Sequence, residues 1–162
     1  MTADAPTVHA SAVLAGGRAV LIRGGAGSGK STLALALIDA AQTGMLAFAR
    51  LVGDDRVHLE PRHGRLLVKP APSLAGLIEV RGLGIRRLDH EPVAVVGLVV
   101  DLAADDAERL PEGAETVICG IPLPRLAVAG GAEALSAVLA ALRFPAGDIK
   151  PPLSSFATNN VD

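Results

Sequence analysis

The chain has 162 residues, half of them hydrophobic and 20% charged, which predicts one domain with a sizeable core and excludes a disordered chain. Aromatic residues make up 2%, with no Trp or Tyr, so no stacking platform for single-stranded nucleic acid is available, and a net charge of −2 offers no handle for a polyphosphate backbone. Residues 1–7 lack the basic-then-apolar pattern of a signal, and the longest apolar run, residues 93–100, is too short for a membrane span, so a soluble cytoplasmic protein is expected.

Two short apolar runs, residues 12–15 and 19–22, flank Gly16-Gly17 and predict a β-hairpin. The second run leads into the glycine-rich residues 24–29, and strong helix formers follow over residues 32–41, with Gly44 as a stop. A strand then carries Leu51-Val52 to Gly53-Asp54-Asp55. Residues 56–60 and 65–69 form a second hairpin about a turn at 62–64, closed by Pro70 and Pro72. One helical turn is predicted at 73–76. Residues 77–85 mix apolar residues, two glycines and two charges, and read as a shaped loop rather than a plain strand. Residues 93–100 form a strand covered on both faces. Residues 105–113 read as a solvated acidic loop, and residues 116–121 as a buried strand in which Cys119 serves as a small core hydrophobe. Pro122 and Pro124 force extended chain, residues 132–142 form the second helix, and residues 148–162 are a polar tail behind a domain spanning 1–147. The fold class is α/β, a mixed β-sheet with flanking helices.

Gly24-Gly25-Ala26-Gly27-Ser28-Gly29-Lys30-Ser31 matches the P-loop (Walker A) pattern G-x-x-x-x-G-K-[ST] at every fixed position, with a strand entering and a helix leaving. Glycines let consecutive N–H groups turn toward phosphate oxygens, Lys30 brings a point charge to the β- and γ-phosphates, and Ser31 offers a hydroxyl to Mg²⁺. Residues 24–32 are therefore the expected nucleotide contacts, with ATP and Mg²⁺ as cofactors. Phosphoryl transfer also needs a carboxylate for the metal and a base for the acceptor's proton, and Asp54-Asp55 closes an apolar strand where both would be found. Side chains alternate along a strand, so both reach one site only if the strand breaks there, which Gly53 would permit.

Three further stretches, Val8-His9-Ala10, residues 51–55 and Ile78-Glu79-Val80-Arg81-Gly82-Leu83-Gly84-Ile85, lie in the order in which they occur in HPr kinase/phosphorylase. The resemblance covers residues 8–127 and is closest to the short α-proteobacterial form without the family's N-terminal domain. It implies an ATP-dependent serine kinase acting on HPr or an HPr-like phosphocarrier, reversible with inorganic phosphate in some members. It also implies a core like that of phosphoenolpyruvate carboxykinase and a homo-oligomer, typically a hexamer. By the same resemblance Asp54 is the base, Asp55 and Glu79 support the metal with Ser31, and His9 and Lys30 lie at the transferred phosphate. Arg125 represents the family's arginine-rich phosphate loop, and Thr32 stands where the family commonly has Glu. Arg81 is expected in a structural salt bridge with Glu79 or another acid nearby, and Asp101 as an ordinary strand-end acid. The motifs also admit a small-molecule kinase and a non-catalytic nucleotide sensor.

Overall fold

Runs of Val, Leu, Ile and Ala with no polar face cannot border water, so the strands they form must be covered on both sides. A computed structural model describes residues 6–109, 111 and 113–144. In chain order the first elements are β1 (Val8–Ala15), β2 (Arg18–Arg23), α1 (Lys30–Gln42) and β3 (Ala49–Gly53). They are followed by β4 (Arg56–Arg62), β5 (Arg65–Pro70), β6 (Leu77–Val80), β7 (Gly84–Arg87) and β8 (Ala94–Asp101). The last are β9 (Glu115–Ile118), β10 (Ile121–Ala127) and α2 (Ala134–Arg143).

The central layer is the mixed run β3-β1-β2-β8-β10, in which β1 is antiparallel to both neighbours while β2–β8 and β8–β10 are parallel. Alternation along these strands feeds two cores. Val13, Val20, Ile22, Leu51, Leu98 and Val100 pack under α1 and α2 with Leu33, Leu37 and Val138. Ala12, Ala19, Leu21, Val52, Val96 and Val99 pack on the opposite face against Val57, Leu66 and Val68 of β4 and β5. The β4–β5 pair joins the start of β1 to the start of β8, forming a third layer. The carboxyl ends of the parallel strands β2, β8 and β10 are thereby left at one edge of the central layer.

Several expectations are corrected. Residues 77–85 lie in the antiparallel β6–β7 hairpin rather than a shaped loop, because Gly82 (φ 82°) and Gly84 (φ 91°) supply the left-handed backbone a tight reversal needs. Residues 116–121 are not one buried strand. The chain reverses at Cys119 (φ 51°) and Gly120 (φ 77°), pairing β9 with β10. Positive φ at both central residues is the requirement of a two-residue hairpin turn, and it leaves the Cys119 thiol exposed rather than in the core. The 73–76 turn appears as a single 3₁₀ turn over Pro72–Leu74. Among the described residues no helix is long and apolar enough to cross a membrane. The polar tail at 148–162, the end of the expected domain at 147 and residues 110 and 112 of the acidic loop lie outside the described residues.

Candidate active site

β2 runs out at Arg23 and the chain enters the glycine loop, where each glycine has a separate reason. A Cβ on Gly24 would strike the Ser28 side chain and lie 3.3 Å from Leu102 Cβ. Gly27 (φ 75°) and Gly29 (φ 100°) hold left-handed backbone, and a Cβ built on either would meet nothing within 4 Å, so the loop faces open space. The turn is closed by Ser28 N–H donating to Gly25 O at 3.1 Å. Helix α1 starts at Lys30 with Gly29 as its N-cap, without a side-chain cap and without an acidic residue in its first turn. Its leading N–H groups therefore meet no protein anion or side-chain cap, which leaves a partial positive charge beside the open loop. Lys30, 7% exposed, folds back so that Nζ donates to Gly24 O and Gly25 O, each at 3.0 Å. Ser28 Oγ is buried with no partner.

The aspartate pair divides into two environments. Asp54, 4% exposed, accepts from Ser11 Oγ at 2.7 Å, from Ser31 Oγ at 2.7 and 2.9 Å, and from Glu79 N–H at 3.2 Å. Asp55 has a side chain 60% exposed, with Oδ1 2.6 Å from His9 Nε2. The strand break that serves both lies at Asp55 itself (φ 66°), where Arg56 N–H bonds back to Asp54 O at 2.7 Å. Aspartate tolerates left-handed backbone better than most residues, which is why this position carries it. Gly53 is needed for space instead: its Cβ would lie 2.7 Å from Val57 Cγ1 and 3.3 Å from Pro70 Cα.

A cavity of about 390 Å³ opens over the loop, and His9, Lys30, Ser31, Asp55, Glu79 and Arg81 all line it. Ala26, Gly27, Gly29 and Thr32 complete the floor. A second cavity of about 560 Å³ begins on the other side of Gly27, Ser28 and Gly29. Gly24 and Gly25 line neither and lie beneath the loop as acceptors for Lys30. Asp54, expected as the base, does not border the first cavity, whereas Asp55, expected at the metal, does. Ser31, Asp55 and Glu79 present one hydroxyl and two carboxylates to it. That set suits Mg²⁺, which takes one or two protein carboxylates and completes its shell with water and phosphate oxygens. Among the described residues no group of three or more His, Cys, Asp and Glu side chains forms a metal cage by itself.

Arg125 is not brought to either cavity. Its guanidinium is held by Asp106 and Asp101, which push its pKa further up, so it is a paired cation and not a free one. Asp101, expected as an ordinary strand-end acid, also accepts two bonds from Arg23 at 2.7 and 2.8 Å. It ties the ends of β2, β8 and β10 together. Burial acts to raise the Asp101 pKa, but the bonds and charges of Arg23 and Arg125 overcome it and hold it below the ordinary 3.8. A carboxyl with a lowered folded pKa stabilises above its unfolded pKa, and that contribution is lost as pH falls through the lower folded value. Asp101→Asn is expected to cost about 2 kcal/mol in urea unfolding at pH 7. The gap from the parent protein should close in acid, below an ordinary carboxylate's titration.

The family model for the HPr Serine kinase C-terminal domain matches residues 1–90, more than half of the chain. The chain belongs to the HPr serine kinase C-terminal domain family. It is 33% identical over 141 residues to HPr kinase/phosphorylase of Lactobacillus delbrueckii subsp. bulgaricus, covering 78% of this chain and 42% of that protein. It is 40% identical over 84 residues to the same-named protein of Streptococcus thermophilus, covering 51% of this chain and 25% of the other. The Hpr(Ser) kinase/phosphatase from Coxiella burnetii has a matching structure, with a TM-score of 0.70 at 26% identity over 85% of this chain and 94% of that one. The α/β mixed-sheet fold of an HPr kinase C-terminal domain is thus shared, and the chain spans less than half the length of these two curated relatives.

One site residue of this HPr kinase domain escaped the sequence reading, and a second was expected in another role. Ser11 is fully buried, and its Oγ bonds Asp54 while accepting from Asp55 N–H at 3.3 Å. Its signal was a single hydroxyl inside the apolar run of β1, since a buried polar group needs a partner. Arg81 lines both cavities and, among the described residues, makes no ion pair, so the expected bridge to Glu79 does not form.

Proposed function

We propose that this chain is an ATP-dependent kinase that transfers the γ-phosphoryl group to a serine of HPr or an HPr-like phosphocarrier. The observation that carries the reading is one cavity uniting the uncapped start of α1 and Lys30 with Asp55 and His9. The first pair is suited to a chain of phosphates and the second to moving a proton. In this reading residues 24–31 act as a P-loop, with inward N–H groups and Lys30 Nζ on the phosphate oxygens, and Thr32 alongside. Mg²⁺, when bound, would neutralise phosphate charge, and Ser31 and Glu79 are the groups that would hold it, Asp55 being kept for the proton.

The proton falls to Asp55. Asp54 is enclosed by Ser11, Ser31 and the Glu79 amide, so its task is to fix the Ser31 hydroxyl from behind. Asp55 is open to the cavity, and His9 Nε2 holds one of its oxygens, leaving the other to face an acceptor. The seryl O–H proton passes to Asp55 as the oxygen attacks phosphorus and the bond to ADP breaks; protonated Asp55 returns the proton when inorganic phosphate reverses the reaction. Arg81, on the cavity wall and without an ion pair among the described residues, takes the role first expected of Arg125. The β6–β7 hairpin carries exposed Leu83 and Ile85 with Arg86 and Arg87 beside the cavity, which favours a protein acceptor over a metabolite. A core like that of phosphoenolpyruvate carboxykinase, assembly as a homo-hexamer and a cytoplasmic location belong to the same proposal and rest on family resemblance.

Incubation with γ-labelled ATP, Mg²⁺ and HPr-like carriers is expected to label a carrier serine. ATP hydrolysed or passed to a metabolite while every carrier stays unlabelled would refute the acceptor; ATP bound without any turnover would favour a sensor.

A further inference from the structure

Strand β1 changes partner opposite the two aspartates. Its start, Val8 and His9, pairs with Val57 and Arg56 of β4, and from Ala12 onward it pairs with β3, beginning at Gly53. Asp54 and Asp55 therefore form the junction between β3 and β4, and residues 9–11 of β1 lie along it. Each of those three holds a different atom of Asp55. His9 Nε2 lies 2.6 Å from the carboxylate Oδ1, Ala10 N–H donates to the carbonyl O at 3.1 Å, and the Asp55 N–H donates to Ser11 Oγ at 3.3 Å. Side chains two apart share a face of a strand, so His9 and Ser11 reach the junction from the same side.

Ser11 also bonds the other aspartate. A hydroxyl has one hydrogen, and Ser11 gives it to Asp54 Oδ1 at 2.7 Å, which leaves a lone pair for the Asp55 amide. The side chain is fully buried, which shields both bonds from competing water. We propose that Ser11 is a positioning residue: its hydroxyl fixes the left-handed turn at Asp55 and so aims that carboxylate into the cavity. The inference rests on Asp55 being the proton acceptor. Without the hydroxyl, Asp54 keeps the Ser31 hydroxyl and the Glu79 N–H. The Asp55 amide loses its anchor at a backbone conformation, φ 66°, that a non-glycine residue holds only with support from its surroundings. The damage therefore falls on the chemical step and spares the hydroxyl at the metal.

The test measures single-turnover transfer from γ-labelled ATP to HPr, and Mg²⁺-ATP affinity by calorimetry, in the parent protein, Ser11→Ala, Asp55→Asn and the double variant. Ser11→Ala is expected to slow transfer by about 30-fold and to change ATP affinity by less than about threefold. In the Asp55→Asn background the same change should slow transfer by less than about threefold, because a residue that acts through Asp55 has nothing left to position. Ser11→Thr and Ser11→Val, alike in shape, repeat the comparison with the hydroxyl kept and removed, and the Thr variant should be faster by at least about tenfold. That pair decides the matter if the alanine variant does not fold. A Ser11→Ala rate within about threefold of the parent, an equal loss in both backgrounds, a loss confined to ATP affinity, or misfolding of all three Ser11 variants would overturn the proposal. No transfer by the parent protein, or full transfer by Asp55→Asn, would instead refute the reading on which it rests.

Discussion

Lys30→Ala is expected to lower single-turnover phosphoryl transfer by about 1,000-fold. Two losses combine. The ammonium group is the one lysine charge on the cavity, and a fixed charge where negative charge accumulates in the transition state is worth several kcal/mol in a partly dry site. The same nitrogen bonds Gly24 O and Gly25 O, so its removal also frees the backbone of the glycine loop. Lys30→Arg should rescue little, because a planar fork cannot fold under the loop as a compact ammonium does. Rapid-quench transfer with saturating Mg²⁺-ATP is the check, with circular dichroism to confirm the fold.

Asp55→Asn and Asp54→Asn are expected to fail in different ways. The first should cut transfer by about 1,000-fold and leave nucleotide affinity nearly intact, since a general base acts on the chemical step. The second puts an amide donor where the carboxylate now receives two serine hydroxyls and a backbone N–H. One of those donors must lose its partner, at a cost of about 1–3 kcal/mol to stability. Ser31 loses its fixed orientation with it. Asp54→Asn should therefore weaken Mg²⁺-nucleotide binding by about tenfold, with a smaller effect on the rate at saturation.

What the sequence disclosed follows from the range of the physics involved. The β1–β2 hairpin, the glycine loop and α1 are local: Gly-Gly reverses the chain, and a run of Leu and Ala continues it as helix. Motif spacing put Asp54 and Asp55 beside the loop, but their division of labour depends on Ser11, which reaches them from 43 residues away along the chain. Asp101 and Arg125 could not be paired from sequence, because parallel strands β8 and β10 meet only through the folded sheet. The 77–85 stretch misled for a different reason. Its two glycines were read as breaking a strand, whereas at φ 82° and 91° they turn the chain between β6 and β7. Cys119 misled similarly, since apolar flanks signal burial while the turn that joins β9 to β10 lifts the residue into solvent.

The most direct test sets nucleotide affinity against the single-turnover rate in the parent protein, Asp54→Asn and Asp55→Asn. A phosphoryl-transfer cavity with Asp55 as proton acceptor predicts a lost rate with kept affinity at position 55, and weakened affinity with a largely kept rate at position 54. The reverse pattern, or full activity in Asp55→Asn, would contradict it.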